Sequence, residues 1–206
     1  DEGQSVKELQ DMIKTASRNT MADINAMTDT VARLGLLARD AFKSTSEIVA
    51  FSELMQKVFV ISGTEAQGRA AVMYQLSQAM ASGRLQGDEF VSVMENASLL
   101  ADKIAGYLGA SKGELKKLAS EGKITADVIK GALFTAAEDI NKMYAQLPMT
   151  FGNVFQSFKN EAYIAFETVF QRMNQWLNSA QGAAVIQAIT MAIYFAASAA
   201  NVFLSL

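Results

Sequence analysis

The sequence predicts an all-α fold, a compact cluster of short capped helices flanked by longer amphipathic helical arms. Three observations carry that prediction. Apolar residues recur at helical spacing along the whole chain. Between residues 75 and 133, Gly83, Gly109 and Gly122 fall where they stop helices. Cap residues follow those stops, and one proline occurs in 206 residues.

The elements follow in order. Val6, Leu9, Ile13, Ala16, Ile24, Met27, Val31 and Leu34 make residues 5–42 one or two amphipathic helices, weakly interrupted at Asn19 and Thr20. Ser46 and Glu47 precede an apolar helix over 48–61 that ends near Ser62 and Gly63. A helix over 65–80 stops at Gly83, because glycine enters the left-handed cap without steric cost. Asp88 is expected to cap the next helix, which carries Phe90, Val91, Val93 and Met94. Ser98 opens another, ending at Gly109. Ser111 and Glu114 form a Ser-x-x-Glu capping box for a helix over 112–121, and Gly122 closes it. Thr125 caps a helix expected to run unbroken through Ile140 and Met143 until Pro148 forbids more. Beyond the proline one long helix covers 151–178, and an uncharged hydrophobic helix follows.

This order suggests three regions: an N-terminal helical arm (1–63), the compact cluster (64–147), and an aromatic-striped helix with its hydrophobic successor (148–206). They read as one structural unit, since no Pro/Ser-rich linker and no tandem repeat divides the chain. The chain opens on aspartate with no signal-peptide pattern, and it reads as a piece of a longer protein.

Composition narrows the chemistry. Half the residues are apolar and 19% are charged, which suits a helical globular protein and not a disordered one. With no histidine and no cysteine, Ser-His-Asp and Cys-His arrangements, thiol chemistry and disulfides are excluded, and carboxylates alone make a poor zinc site. The glycines are spaced as helix stops and not as a phosphate cradle, so no cofactor or nucleotide is expected. Asp88, Glu89, Glu95 and Asp102 could be paired as in a glycosidase, but they read better as a cap, a first-turn dipole partner and solvated residues. No catalytic residue is expected.

A net charge of −3 lacks the footprint of a nucleic-acid binder. Residues 113–133 outline a helix-turn-helix carrying Lys112, Lys116, Lys117, Lys123 and Lys130, yet residues 125–133 hold no Arg, Asn or Gln to read base edges. Specific nucleic-acid recognition is therefore not expected.

The candidate interface residues are Phe155, Phe158, Phe166, Phe170 and Trp176, on an aromatic stripe of the helix over 151–178. Such a stripe fits an ordinary core, packed against the cluster, or a seam for self-association or a partner. From Met173 onward there is no charged residue, and 183–206 is long enough to cross a bilayer. Against a span, Gln187, Thr190, Ser198 and Asn201 interrupt it and no cationic flank orients it. A helix buried in an oligomer is the other reading.

The wording of the cluster carries a resemblance. QLSQAMASGRLQGDEFVSVMENA (75–97) and LGASKGELKKLASEGKITADVIKGAL (108–133), with VARLGLLARDAF (31–42), IVAFSELMQKVF (48–59) and MTFGNVFQSFKN (149–160), resemble the N-terminal region of tailed-bacteriophage tape measure proteins. The resemblance implies a structural role: a protein inside the tail tube that sets tail length during assembly and leaves ahead of DNA at infection. It implies tail tube subunits and tail-assembly chaperones as partners. It leaves open both contact of 183–206 with the host membrane and its burial in an oligomer, while the aromatic stripe itself suggests self-association. The expected location is the virion tail lumen, with the host cytoplasm during assembly.

Overall fold

The computed structural model describes residues 6–204, with the side chains of Asp88, Phe170 and residues 196–204 outside the description. Among the described residues there are helices and no strands, as the fold class requires.

Helix α1 (Val6–Thr20) ends where Met21 turns the chain with a left-handed φ of 50°. Asp23 then caps α2 (Ile24–Leu37) by accepting from the amide groups of Asn25 and Ala26. The interruption thus lies just after Asn19 and Thr20. A short 3-10 turn, Arg39–Ala41, leads to Ser44, whose hydroxyl accepts from Glu47 N–H at 3.1 Å and caps α3 (Thr45–Ile61). The cap is therefore Ser44, two residues ahead of the expected Ser46.

Helix α3 is the hub of the core. Ten of its residues are buried, Phe51, Met55, Val58 and Phe59 among them, and it packs against α1, α2, α8 and α9. Each such large apolar side chain contributes about 1.5–3 kcal/mol when removed from water. Phe51 sits edge-on between Phe42 and Phe134, with ring centroids 5.4 and 6.4 Å away.

Helix α4 (Ala66–Ser82) closes on Gly83 at φ 82°. Helix α5 (Gly87–Asn96) starts one residue before Asp88, and its cap position is Gln86 rather than Asp88. Ala97 stands between α5 and α6 (Ser98–Leu108), so Ser98 is the first helical residue and not the cap. Helix α7 (Lys112–Ser120) opens on the expected capping box, with Ser111 N–H donating to Glu114 at 2.8 Å and Glu114 N–H returning to Ser111 Oγ at 3.4 Å. Thr125 caps α8 (Ala126–Thr135) through Val128 N–H at 3.2 Å.

The expected continuous helix to Met143 is broken at Ala136, and α9 (Ala137–Ala145) follows. Helix α8 packs mainly on α6 and α9 on α3, so the two halves serve different partners, and packing overrides the helix-favouring alanines. The turns before α5 and after α7 are joined by backbone hydrogen bonds, Leu85 N–H to Ile124 at 2.7 Å and Ala126 N–H to Gly83 at 3.0 Å.

Helices α10 (Phe151–Leu177) and α11 (Ala180–Leu204) complete the described chain. The chain forms two compact units, 1–160 and 161–206. Helices α1 to α3 lie in the first unit, and α3 carries many of its most buried side chains.

Candidate interaction site

The first turns of α10 are built in an unexpected sense. Thr150 Oγ1 accepts from Asn153 N–H at 3.2 Å and starts the helix. Gln156, Lys159 and Asn160, at helical spacing, then form one face that docks on the α1–α2 turn. Asn160 is only 2% exposed. Its Nδ2 donates to the Ala22 carbonyl at 2.6 Å, and its Oδ1 accepts from Ile24 N–H at 3.3 Å and from Gln156 Nε2 at 3.0 Å. Gln156 also reaches Asp23 at 3.2 Å, and Lys159 Nζ pairs with the same carboxylate oxygen at 2.6 Å. A buried carboxamide satisfied at both ends fixes the rotation of the helix about its axis.

Asp23 is the electrostatic centre of this joint. Partial burial pushes its carboxyl pKa up, but the Lys159 ammonium and the amide groups of Asn25 and Ala26 together outweigh burial and hold it below its ordinary 3.8.

With the polar face of its first turns docked, α10 turns Phe155 and Phe158 outward. Phe155 is 60% exposed, Phe158 71%, Phe166 54% and Trp176 47%. Phe155 and Phe158 belong to the first unit and Phe166 and Trp176 to the second; the side chain of Phe170 lies outside the description. At Phe155 and Phe158 the positions facing the α1–α2 turn are held instead by the amides of Gln156 and Asn160 and the Lys159 ammonium. Sequence reasoning missed Asn160; the only signal for it is the Gln156/Asn160 spacing.

In the second unit, Ser179 Oγ accepts from Gly182 N–H at 3.2 Å at the start of α11. Val185, Ile186, Ile189, Ile193 and Phe195 on that helix are exposed. Among the described residues no helix is long and apolar enough to cross a membrane. The 183–206 segment proposed as a span runs outside the described side chains beyond Phe195.

The five lysines of the helix-turn-helix outline do not form one free basic face. Lys112 pairs with Asp102 at 2.7 Å and Lys123 with Glu121 at 2.7 Å, with Lys117 3.9 Å from the same glutamate. Lys130 is buried, 3.6 Å from both Glu47 and Asp127 and above the Phe42 ring. Of the four carboxylates, Asp102 is thus engaged, and Asp88 lies outside the described side chains. Among the described residues no cluster of three metal-ligating side chains occurs.

No curated protein and no solved structure matches the chain. The sequence model described as tape measure protein matches residues 1–175, from the N-terminus through nearly all of α10. On that match over most of its length, the chain belongs to the tape measure protein family and is a structural protein of the phage tail.

Proposed function

We propose that the chain is the N-terminal region of a tape measure protein that sets tail length during assembly inside the tail tube and is released ahead of DNA at infection. The family match over 1–175 carries this reading. A helical ruler gains ~1.5 Å per residue. Helices α4 to α9 are each 17 residues or fewer and fold back on one another, which is poor geometry for a rod. This region is therefore a folded terminal domain, and measurement belongs to other sequence of the same protein. Electron microscopy of particles carrying an in-frame deletion downstream tests the assignment: tails shorten in proportion to the residues removed. Unchanged tail length overturns it.

The stripe of Phe155, Phe158, Phe166, Phe170 and Trp176 is the surface that meets tail-assembly chaperones, tube subunits or a second copy of the chain. Support comes from the docking of the start of α10 by its amide face, with Phe155 and Phe158 60% and 71% exposed. The double variant Phe155→Ser with Phe158→Ser is expected to keep the helical signal and to lose tail assembly in a complementation assay. Normal tails from that variant would remove these two residues from the interface.

A second reading rests on the exposed apolar residues of α11 and the absence of charge after Arg172. It is contact with the host membrane through 183–206. Liposome flotation lost on deletion of 183–206 supports it, and flotation unchanged by the deletion removes it.

A further inference from the structure

The first unit contains a cavity of about 470 Å³ between α2, α4 and the start of α10, within the size range of ligand pockets. Two nearly buried polar side chains line it without a hydrogen-bond partner among the described residues. Gln56 of the hub helix is 5% exposed and Thr30 of α2 is 8% exposed. Both residues line the cavity, and neither side chain's polar atoms are sealed from solvent. A carboxamide held there without a protein partner keeps donor and acceptor capacity for a ligand that displaces water.

Arg69 lines the same cavity. Its Nε donates to the Thr64 carbonyl at 2.7 Å, and no carboxylate among the described residues pairs with it. Half-burial pushes its pKa down, as expected of a cation that has lost water without gaining an anion. Arg33 adds a second guanidinium, stacked 5.4 Å from the Tyr74 ring centroid.

We propose that this cavity binds the carboxylate of an acidic side chain presented by a partner polypeptide. Guanidinium N–H groups, the Gln56 amide and the Thr30 hydroxyl supply a donor set for one planar anion. The apolar lining of Ala26, Ala70 and Met73 accommodates the methylene stem that carries it. Asp23 and Asp29 also line the cavity, and their charges disfavour a multiply charged anion such as phosphate. The inference is independent of the tail-length reading and of the aromatic stripe, since it concerns the other side of α10.

The test uses the full chain, following the Gln56 carboxamide and Arg69 Nε–H signals by NMR. The probes are N-acetyl-glutamate N-methylamide, the corresponding glutamine amide, and inorganic phosphate. The glutamate probe is expected to move both signals to saturation in the millimolar range, with the glutamine probe and phosphate at least about tenfold weaker. Arg69→Gln is expected to weaken binding by about tenfold or more. Because Arg69 also braces Thr64, Gln56→Leu is the second variant: binding falls several-fold while the helical signal is unchanged. No movement by about 50 mM glutamate probe, equal movement with the glutamine probe, tighter binding of phosphate, or unaltered binding in a folded Gln56→Leu overturns the proposal.

Discussion

Ser17 shows how a single atom can be out of balance inside a helical core. Its side chain is fully buried in α1, and its hydroxyl has no hydrogen-bond partner. The buried hydroxyls of Thr20, Ser52 and Ser77 instead donate to a carbonyl one turn back. Ser17→Ala removes the stranded group with almost no loss of volume. It is expected to stabilise the fold by up to about 1–2 kcal/mol in urea unfolding. Asp23 makes a prediction of opposite kind. Its carboxyl is more acidic in the folded chain than in the unfolded one, so its contribution is fully present above the unfolded value near 3.8. That contribution is lost as pH falls below 3.8 and through the lower, folded value. Asp23→Asn is therefore expected to be less stable than the parent at neutral pH, and the two unfolding curves are expected to converge in acid. A difference that persists unchanged at pH 2 would assign the effect to the cap geometry instead. Neither residue is legible in advance: the Ser17 hydroxyl depends on how α1 meets α3, and the Asp23 partner lies 136 positions away.

At the scale of elements, legibility follows the range of the interaction that sets each boundary. The stop at Gly83 and the Ser111/Glu114 box depend on groups within one turn, and both occur where the residues predict them. The break at Ala136 has no local cause in glycine, proline or a capping side chain; it is set by α8 and α9 packing on different helices. The start of α5 shows a further limit, since Gln86, Gly87 and Asp88 are all plausible entry residues and only the backbone path distinguishes them. Two helical glycines are expected to respond differently to alanine. At Gly131 a new Cβ would lie 2.6 Å from the Tyr107 hydroxyl, at the end of a half-exposed side chain that can rotate away. The helix-propensity gain of about 1 kcal/mol offsets part of that displacement, and Gly131→Ala is expected to be close to neutral in thermal unfolding. At Gly182 the Cβ would collide with the Trp176 carbonyl and the Leu177 Cα, which are backbone. Gly182→Ala is expected to open the turn between α10 and α11 and to raise proteolysis at residues 178–182.

The whole molecule divides after Asn160, which ties the start of α10 to the α1–α2 turn. A chain ending at residue 160 is accordingly expected to unfold cooperatively with a urea midpoint close to that of the parent; a non-cooperative transition would show that the first unit needs the second. All-α architecture was legible because helical periodicity and caps recur along the chain. The aromatic stripe was legible as a stripe, but its direction was not. Hydrophobicity alone points Phe155 and Phe158 inward, whereas Asn160, with both ends of its amide matched by backbone groups, fixes the opposite rotation. That inverted seating changes what it takes to lift α10 off its support. An oily joint opens only by wetting apolar surface. Here the joint consists of hydrogen bonds and one ion pair, each of net worth about 0.5–1.5 kcal/mol, which incoming water can replace one for one. Phe155 and Phe158 already show most of their surface to solvent, so undocking exposes little further grease from them, and rising salt weakens the Lys159 attachment. The helix is held as a Velcro strip is held, firmly in sum and releasable from one end.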